Sequence, residues 1–191
     1  LTGLGITAPI SSQDVKTVAK TRGVGASAPL VVLTGQAKSD VASYNEGFVI
    51  GTTADFPSLV NQSVGYGSFI SDDDAGANVA VLGVDAAEEL FDEDIPLGRI
   101  FTYKGQDFIV RGLFNTFNTT PINQEANFNK AIFIPEDVAA TLSKNAAPIY
   151  EILAKPTDPS KTGEVADRID KNLIAYHGGQ SQLLVTEGTQ N

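Results

Sequence analysis

An α+β fold in two lobes is predicted from three features of the chain. Short runs rich in β-branched and aromatic residues, such as Val79–Leu82 and Asp107–Phe114, alternate with short helical segments. The best-supported helix, Lys161–His177, lies between strands expected at Ile149–Lys155 and Gln182–Thr186. A helix around Val15 followed by strands opens the chain, so residues 1–55 and 148–191 are expected to close into one α+β layer. Residues 56–147 then form an inserted, strand-rich lobe.

Each element has a local reason. Leu1–Pro9 is glycine-rich and apolar, and fits either an edge strand or the approach from a membrane helix. Ser11 and Asp14 stand at the spacing of a reciprocal helix cap. Val15, Val18 and Ala19 are expected to face inward, Lys16 and Lys20 outward, and Gly23 to end the helix. Val24–Gly35 and Val41–Thr53 read as two long strands joined at Lys38-Ser39-Asp40. Asp55–Ser58 reads as a cap followed by an early-helix proline.

The strand Val79–Leu82 passes through Gly83 into a helix with Ala86, Ala87, Leu90 and Phe91 on one face, expected to stop near Pro96. Arg99–Lys104 and Asp107–Phe114 flank Gly105-Gln106 as a hairpin. Asn115–Asn129 is rich in Asn and Thr, carries Pro121 and has little apolar content; a loop of that length in a compact domain is usually functional or mobile. Ala131–Ile134 returns as a strand, and Pro135-Glu136-Asp137 starts a helix buried through Val138, Ala139 and Leu142. In the C-terminal helix Val165, Ile169, Leu173 and Tyr176 share a face, Glu164/Arg168 and Asp167/Lys171 stand four apart, and Gly178-Gly179 ends it.

Composition excludes several functions. The 191 residues suffice for one good core or two small lobes, and 42% hydrophobic with 19% charged residues is ordinary for a globular chain. A net charge of -10, with no cluster of Lys and Arg, argues against nucleic acid as a partner. With no cysteine, disulfides and thiolate metal sites are excluded. No run approaches the ~18 apolar residues that span a bilayer. The absence of any Met predicts an excised or processed chain.

Candidate chemistry is sparse. His177 is the sole histidine and sits where a cation suits the exposed carbonyls of a helix end, so a structural cap is expected rather than a triad or metal ligand. Asp72, Asp73, Asp74, Gly76 and Asn78 offer oxygen ligands, but a helix-loop-helix calcium loop needs a Glu where Gly83 stands. Glu88, Glu89, Asp92, Glu93 and Asp94 read as a solvated face rather than an acid/base pair. Gly3-Leu4-Gly5 and Gly65-Tyr66-Gly67 lack the ending and spacing of a phosphate loop. Asn61-Gln62-Ser63 and Asn118-Thr119-Thr120 fit a glycosylation pattern short enough to arise by chance. No catalytic, cofactor-binding or metal-binding residue is expected, and no cofactor.

Several stretches together resemble a known family. Val79–Gly83, Ala87–Phe91, Pro96–Ile100 and Gly105–Leu113, extended by Gly23-Val24, Ala28-Pro29 and Ile132–Pro135, make the chain similar to the MacB-like periplasmic core domain of ABC transporter permeases of the MacB/FtsX class. Arg111 departs from the pattern, which leads one to expect an apolar residue there.

The resemblance implies a porter-like lobe built from both chain ends and carrying an inserted, sabre-like lobe. It also implies an extracytoplasmic location between two transmembrane helices, a cytoplasmic ABC ATPase, a permease homodimer and an extracytoplasmic accessory protein as partners. ATP hydrolysis would drive export or action on a partner outside the membrane, with Asn115–Asn129 and the adjoining hairpin expected to bind that partner. The alternative is a free-standing secreted hydrolase or carbohydrate-binding protein; apolar spans encoded on both sides of Leu1–Asn191 would favour the permease.

Overall fold

The computed structural model describes residues 4–118, 127–176 and 184–187. In chain order the first elements are β1 (Leu4–Ile10), α1 (Ser12–Lys20), β2 (Val24–Leu33), β3 (Ala37–Lys38), β4 (Ser43–Tyr44), β5 (Val49–Thr52) and α2 (Phe56–Leu59). Next come β6 (Val64–Gly67), β7 (Val79–Leu82), α3 (Val84–Phe91), β8 (Ile100–Tyr103) and β9 (Gln106–Phe114). The chain closes with β10 (Ile132–Pro135), α4 (Glu136–Leu142), β11 (Ile149–Pro156), α5 (Thr162–Tyr176) and β12 (Leu184–Glu187). The fold is α+β, in two compact units: Leu1–Val31, Asp55–Asn61 and Pro148–Asn191 form one, Val32–Ala54 and Gln62–Ala147 the other.

In the first unit the strands run β12-β1-β11-β2. Leu4 lies opposite Ala154 on one side and Glu187 on the other, so β1 is an inner strand rather than an edge. The core joins Val18 of α1, Ile152 and Ala154 of β11, and Val165, Ala166, Ile169 and Leu173 of α5. The cap expected at Ser11 is present: Asp14 N donates to Ser11 Oγ at 3.2 Å, and Ser11 N donates to Asp14 Oδ2 at 2.8 Å. The buried stripe of α1 differs from the expected one. Asp14, Val18 and Thr21 are buried while Ala19 is exposed, because positions i, i+4 and i+7 share a face. The helix ends at Lys20, before Gly23.

In the second unit the order is β5-β10-β7-β9-β8-β3-β4, with β6 paired to the end of β9. The strands β5 and β10 are parallel, as are β7 and β9. Phe133 and Phe114, with ring centroids 5.1 Å apart, centre an aromatic core that also takes in Phe69, Phe117 and Phe128. Phe101 and Phe108 stack at 5.4 Å and 13° inside the β8–β9 hairpin.

Four sequence expectations change here. The long strand Val41–Thr53 is broken into β4 and β5, and the approach of Gly47 to Tyr44 and to the Lys130 carbonyl leaves no room for a side chain. The hydroxyl of Ser39 shapes the preceding turn, accepting from Val41 N and Ala42 N and donating to Leu90 O at 2.6 Å. The division at residue 55 placed Val32–Ala54 in the first lobe, whereas β5 pairs with β10 and β3 with β8, inside the second unit. Residues Asp55–Asn61 return to the first, with Phe56 and Leu59 buried.

The helix α3 stops at Phe91, well short of Pro96, where Asp92 takes a left-handed conformation at φ 52. The hairpin turn is Lys104-Gly105, one residue earlier than expected. Both have positive φ, 49 and 77, as the tight turn that matches strand twist requires.

Candidate partner-binding surface

Alternation along the β8–β9 hairpin separates two faces. Phe101, Tyr103, Phe108 and Val110 point into the core, leaving Ile100, Thr102, Asp107 and Ile109 outside. Ile100 and Ile109 lie directly opposite each other and are 52% and 50% exposed. Ile109 N donates to Asn78 O rather than across the hairpin, so this is the closer kind of cross-strand pair, with the two side chains side by side. Ile95 and Leu97, just before β8, are exposed as well. Thr102 Oγ1 donates to Asp107 Oδ1 at 3.0 Å, continuing this face with a polar border.

Arg99 ties down the approach to the hairpin. Arg99 pairs with Asp40 at 2.7 Å and with Glu93, and its guanidinium stands 5.2 Å from the centre of the Phe91 ring. Glu93, read as part of a solvated run, is thus a positioning group; Glu88, Glu89, Asp92 and Asp94 are exposed.

The loop after β9 rises from a clamped base. Phe117 N donates to Asn129 Oδ1 at 2.7 Å, and Asn129 Nδ2 donates to Phe117 O at 2.9 Å, both buried. Gln62 Nε2 holds Thr116 O at 2.8 Å, and Asn115 Nδ2 donates to Ser63 Oγ at 2.9 Å. Phe117 and Phe128 belong to the aromatic core, with ring centroids 5.4 Å apart. The loop proper is therefore shorter than Asn115–Asn129, since two of its residues are core and Asn129 is its clasp. Residues 119–126 lie outside the described residues.

Asp72–Asp74 forms one tight helical turn capped by Ser71, whose N donates to Asp74 Oδ2 at 2.8 Å. Asp74 is buried and ion-paired with Arg111, which explains the charged residue in β9. The side-chain bond from Arg111, then the one from the Ser71 backbone, holds the Asp74 carboxyl below its ordinary 3.8. A depressed carboxyl contributes stability that is present above 3.8 and lost as pH falls through its value in the fold. The unfolding midpoint of the chain in urea is expected to exceed that of Asp74→Asn at neutral pH, and the gap to close below pH 3.8; a constant gap would show that the pair does not carry this effect.

The remaining candidates are scattered. His177 and Gly3 lie outside the described residues, as do Thr119 and Thr120. Leu4 and Gly5 lie in β1, and Gly65-Tyr66-Gly67 in β6, where a Cβ on Gly67, at φ 73, would strike the Arg111 carbonyl. Asn61 is exposed, with φ 52. Among the described residues no group of three or more His, Cys, Asp or Glu could hold a metal ion, and no helix is long and apolar enough to cross a membrane. The clamp at Asn129 and the Asp74–Arg111 pair were not foreseen; the charged Arg111 in an apolar strand was the one signal that pointed to the latter.

The fold has known counterparts. The periplasmic region of MacB from Actinobacillus actinomycetemcomitans superposes with a TM-score of 0.81 at 15% identity, covering 97% of this chain and 88% of that one. The extracellular domain of YknZ, a noncanonic ABC-type transporter from Gram-positive bacteria, gives 0.76 at 14% identity, over 97% of this chain and all of that one. In sequence the chain is 29% identical over 142 residues to the pyoverdine export ATP-binding/permease protein PvdT of Pseudomonas aeruginosa, and 27% identical over 143 to that of Pseudomonas fluorescens. Each alignment covers 73% of this chain and only 21% of the relative's length.

Residues 2–172 match the family described as the MacB-like periplasmic core domain. With a fold of this kind and exporter relatives, the class is that of extracytoplasmic domains of ABC transporter permeases. The chain belongs to the MacB-like periplasmic core domain family.

Proposed function

We propose that the domain is a mechanical element without a catalytic centre of its own. Membrane spans flank it, and it relays the ATP hydrolysis of a cytoplasmic ABC ATPase to export or to a protein partner outside the membrane. The permease works as a homodimer, in which the first unit is the porter-like lobe and the second the inserted lobe. The observation that carries this reading is the match of residues 2–172 to the MacB-like periplasmic core domain, and the pairing of Leu4 with Glu187 is compatible with it. β1 begins and β12 ends in the same row of the sheet, an arrangement that lets neighbouring membrane helices hold the body at both ends but is common in domains of any kind. The family match, with export permeases among the relatives, favours a tethered domain over a free-standing secreted hydrolase or carbohydrate-binding protein.

The Ile100–Ile109 pair is the docking point for the extracytoplasmic protein partner. An apolar pair on a stiff hairpin offers burial at little ordering cost. In the full-length permease, the double variant Ile100→Glu, Ile109→Glu is expected to lower partner capture and export about tenfold, the effect of disrupting residues at the centre of an interface. Two carboxylates side by side repel, so its thermal midpoint is expected to fall slightly, and the variant Ile100→Thr, Ile109→Thr, which keeps strand-forming residues at both positions, serves as the check that the loss of capture is not a loss of folding. Unaltered export and capture would remove this surface from the mechanism.

A further inference from the structure

Where β1 begins and β12 ends, the first unit carries a basic cavity of about 290 Å³ lined by Arg22, Gly23, Thr157, Asp158, Lys161 and Arg168. It is built from the connections α1–β2 and β11–α5 and from the first two turns of α5, which contribute Val165 and Arg168. Leu4, Ala154 and Ser27 share a row of the sheet, and the strands β11 and β2 extend past it to the facing residues Pro156 and Val24. The cavity therefore lies at the end of the sheet where the described chain enters and leaves, beside β11 and β2, and about 7 Å further along the strands than Leu4. Thr157 N donates to Gly23 O at 2.8 Å and ties the two connections together. Gly23, at φ +94, keeps the wall thin, since a Cβ there would press on Val165 Cγ2 at 2.8 Å and Arg168 Nη1 at 2.9 Å.

The charge here runs against that of the whole chain. Three of the thirteen Lys and Arg meet at this cavity in a protein of net charge -10. Arg168 is oriented by donating to Arg22 O at 3.0 Å and lies 3.8 Å from Glu164. Asp158 faces the cavity too, and its Oδ1 accepts from Ser160 Oγ at 2.8 Å and Ser160 N at 3.0 Å, which holds its carboxyl below the usual range and so ionised, leaving an excess of positive charge from Arg22, Lys161 and Arg168 for an anion. Among the described residues, neither Arg22 nor Lys161 forms a salt bridge. Two forked guanidinium groups and an ammonium around one concavity suit a tetrahedral oxyanion.

We propose that this cavity binds a phosphate mono- or diester, the group shared by anionic lipid headgroups and soluble phosphates. The lipid source rests on the reading that membrane spans flank the domain, which brings this end to the headgroups.

The test uses the 191-residue chain with vesicles of equal parts phosphatidylglycerol and phosphatidylcholine at low salt, and separately with inorganic phosphate. Co-sedimentation with the anionic vesicles is expected, weakened about fivefold for each charge removed and about thirtyfold in the double variant Arg22→Gln, Lys161→Gln. Lys144→Gln, in the other unit, should bind as the parent does. Both altered side chains are exposed, so the thermal midpoint serves to check that the variants stay folded. Shifts of the Gly23 and Thr157 amides with inorganic phosphate, abolished in the double variant, without vesicle binding would support the site and assign it a soluble phosphate. Equal vesicle affinity of parent and double variant, or no response to either probe, would overturn it. That failure leaves the tethered-domain reading standing, since apolar spans encoded on both sides of residues 1–191 test it separately.

Discussion

Phe133→Ala is expected to destabilise the second unit by about 3–5 kcal/mol, the cost of emptying a ring-sized site in a packed core. Phe133 is fully buried on β10, opposite Ile50 of β5 and Val81 of β7, so backbone on both sides resists collapse into the space. Its ring also meets those of Phe69, Phe114 and Phe128, at centroid distances of 6.3, 5.1 and 6.1 Å. Alanine forfeits both the buried apolar area and these edge-on ring interactions. Since small domains hold about 5–15 kcal/mol in all, a loss of this size leaves the unit marginal. Urea unfolding followed at both near- and far-ultraviolet wavelengths measures it. A midpoint within error of the parent's would mean that the aromatic cluster is not the centre of this core.

Gly83→Ala is the second large effect, about 1–3 kcal/mol, and its cause is different. Gly83 has φ -72 and ψ 160, a conformation that alanine adopts freely, so the backbone is not what forbids a side chain. The added Cβ would come closer than 3.0 Å to the carbonyl oxygens of Phe128 and Asn129, which are main-chain atoms with little freedom to move. Gly83 N also donates to Ala131 O at 3.0 Å, so the start of α3 and the second foot of the loop are fastened together. The substitution must push that foot away and loosen the grip of Asn129 on Phe117. Faster hydrogen exchange at the Phe117 amide should accompany the lower urea midpoint. Loss of stability with Phe117 exchange unchanged would show that the strain goes elsewhere.

Features legible in the sequence were those whose cause lies within a few residues. The Ser11–Asp14 cap spans one helical turn, and the face of α5 carrying Val165, Ile169 and Leu173 follows from helical spacing alone. The β8–β9 hairpin was foreseen from its glycine and its alternation, although the turn falls at Lys104-Gly105, because only backbone twist decides which two residues take positive φ. The candidate surface was half legible: the loop drew notice by composition, but its clasp at Asn129 and the core role of Phe117 and Phe128 did not.

By itself, then, the sequence determined the α+β class, the family, the helix cap and the hairpin, because each rests on short-range hydrogen bonding and periodicity or on motifs in order along the chain. Only the tertiary structure decided that β1 is an inner strand, that Val32–Ala54 belongs to the second unit, that Arg111 neutralises Asp74 and that Arg22 meets Arg168. The reason is that a strand carries hydrogen-bonding groups on both edges and a charge attracts any opposite partner, so neither names its mate. Which one it meets is settled when distant segments pack, by the shape and burial of the whole unit.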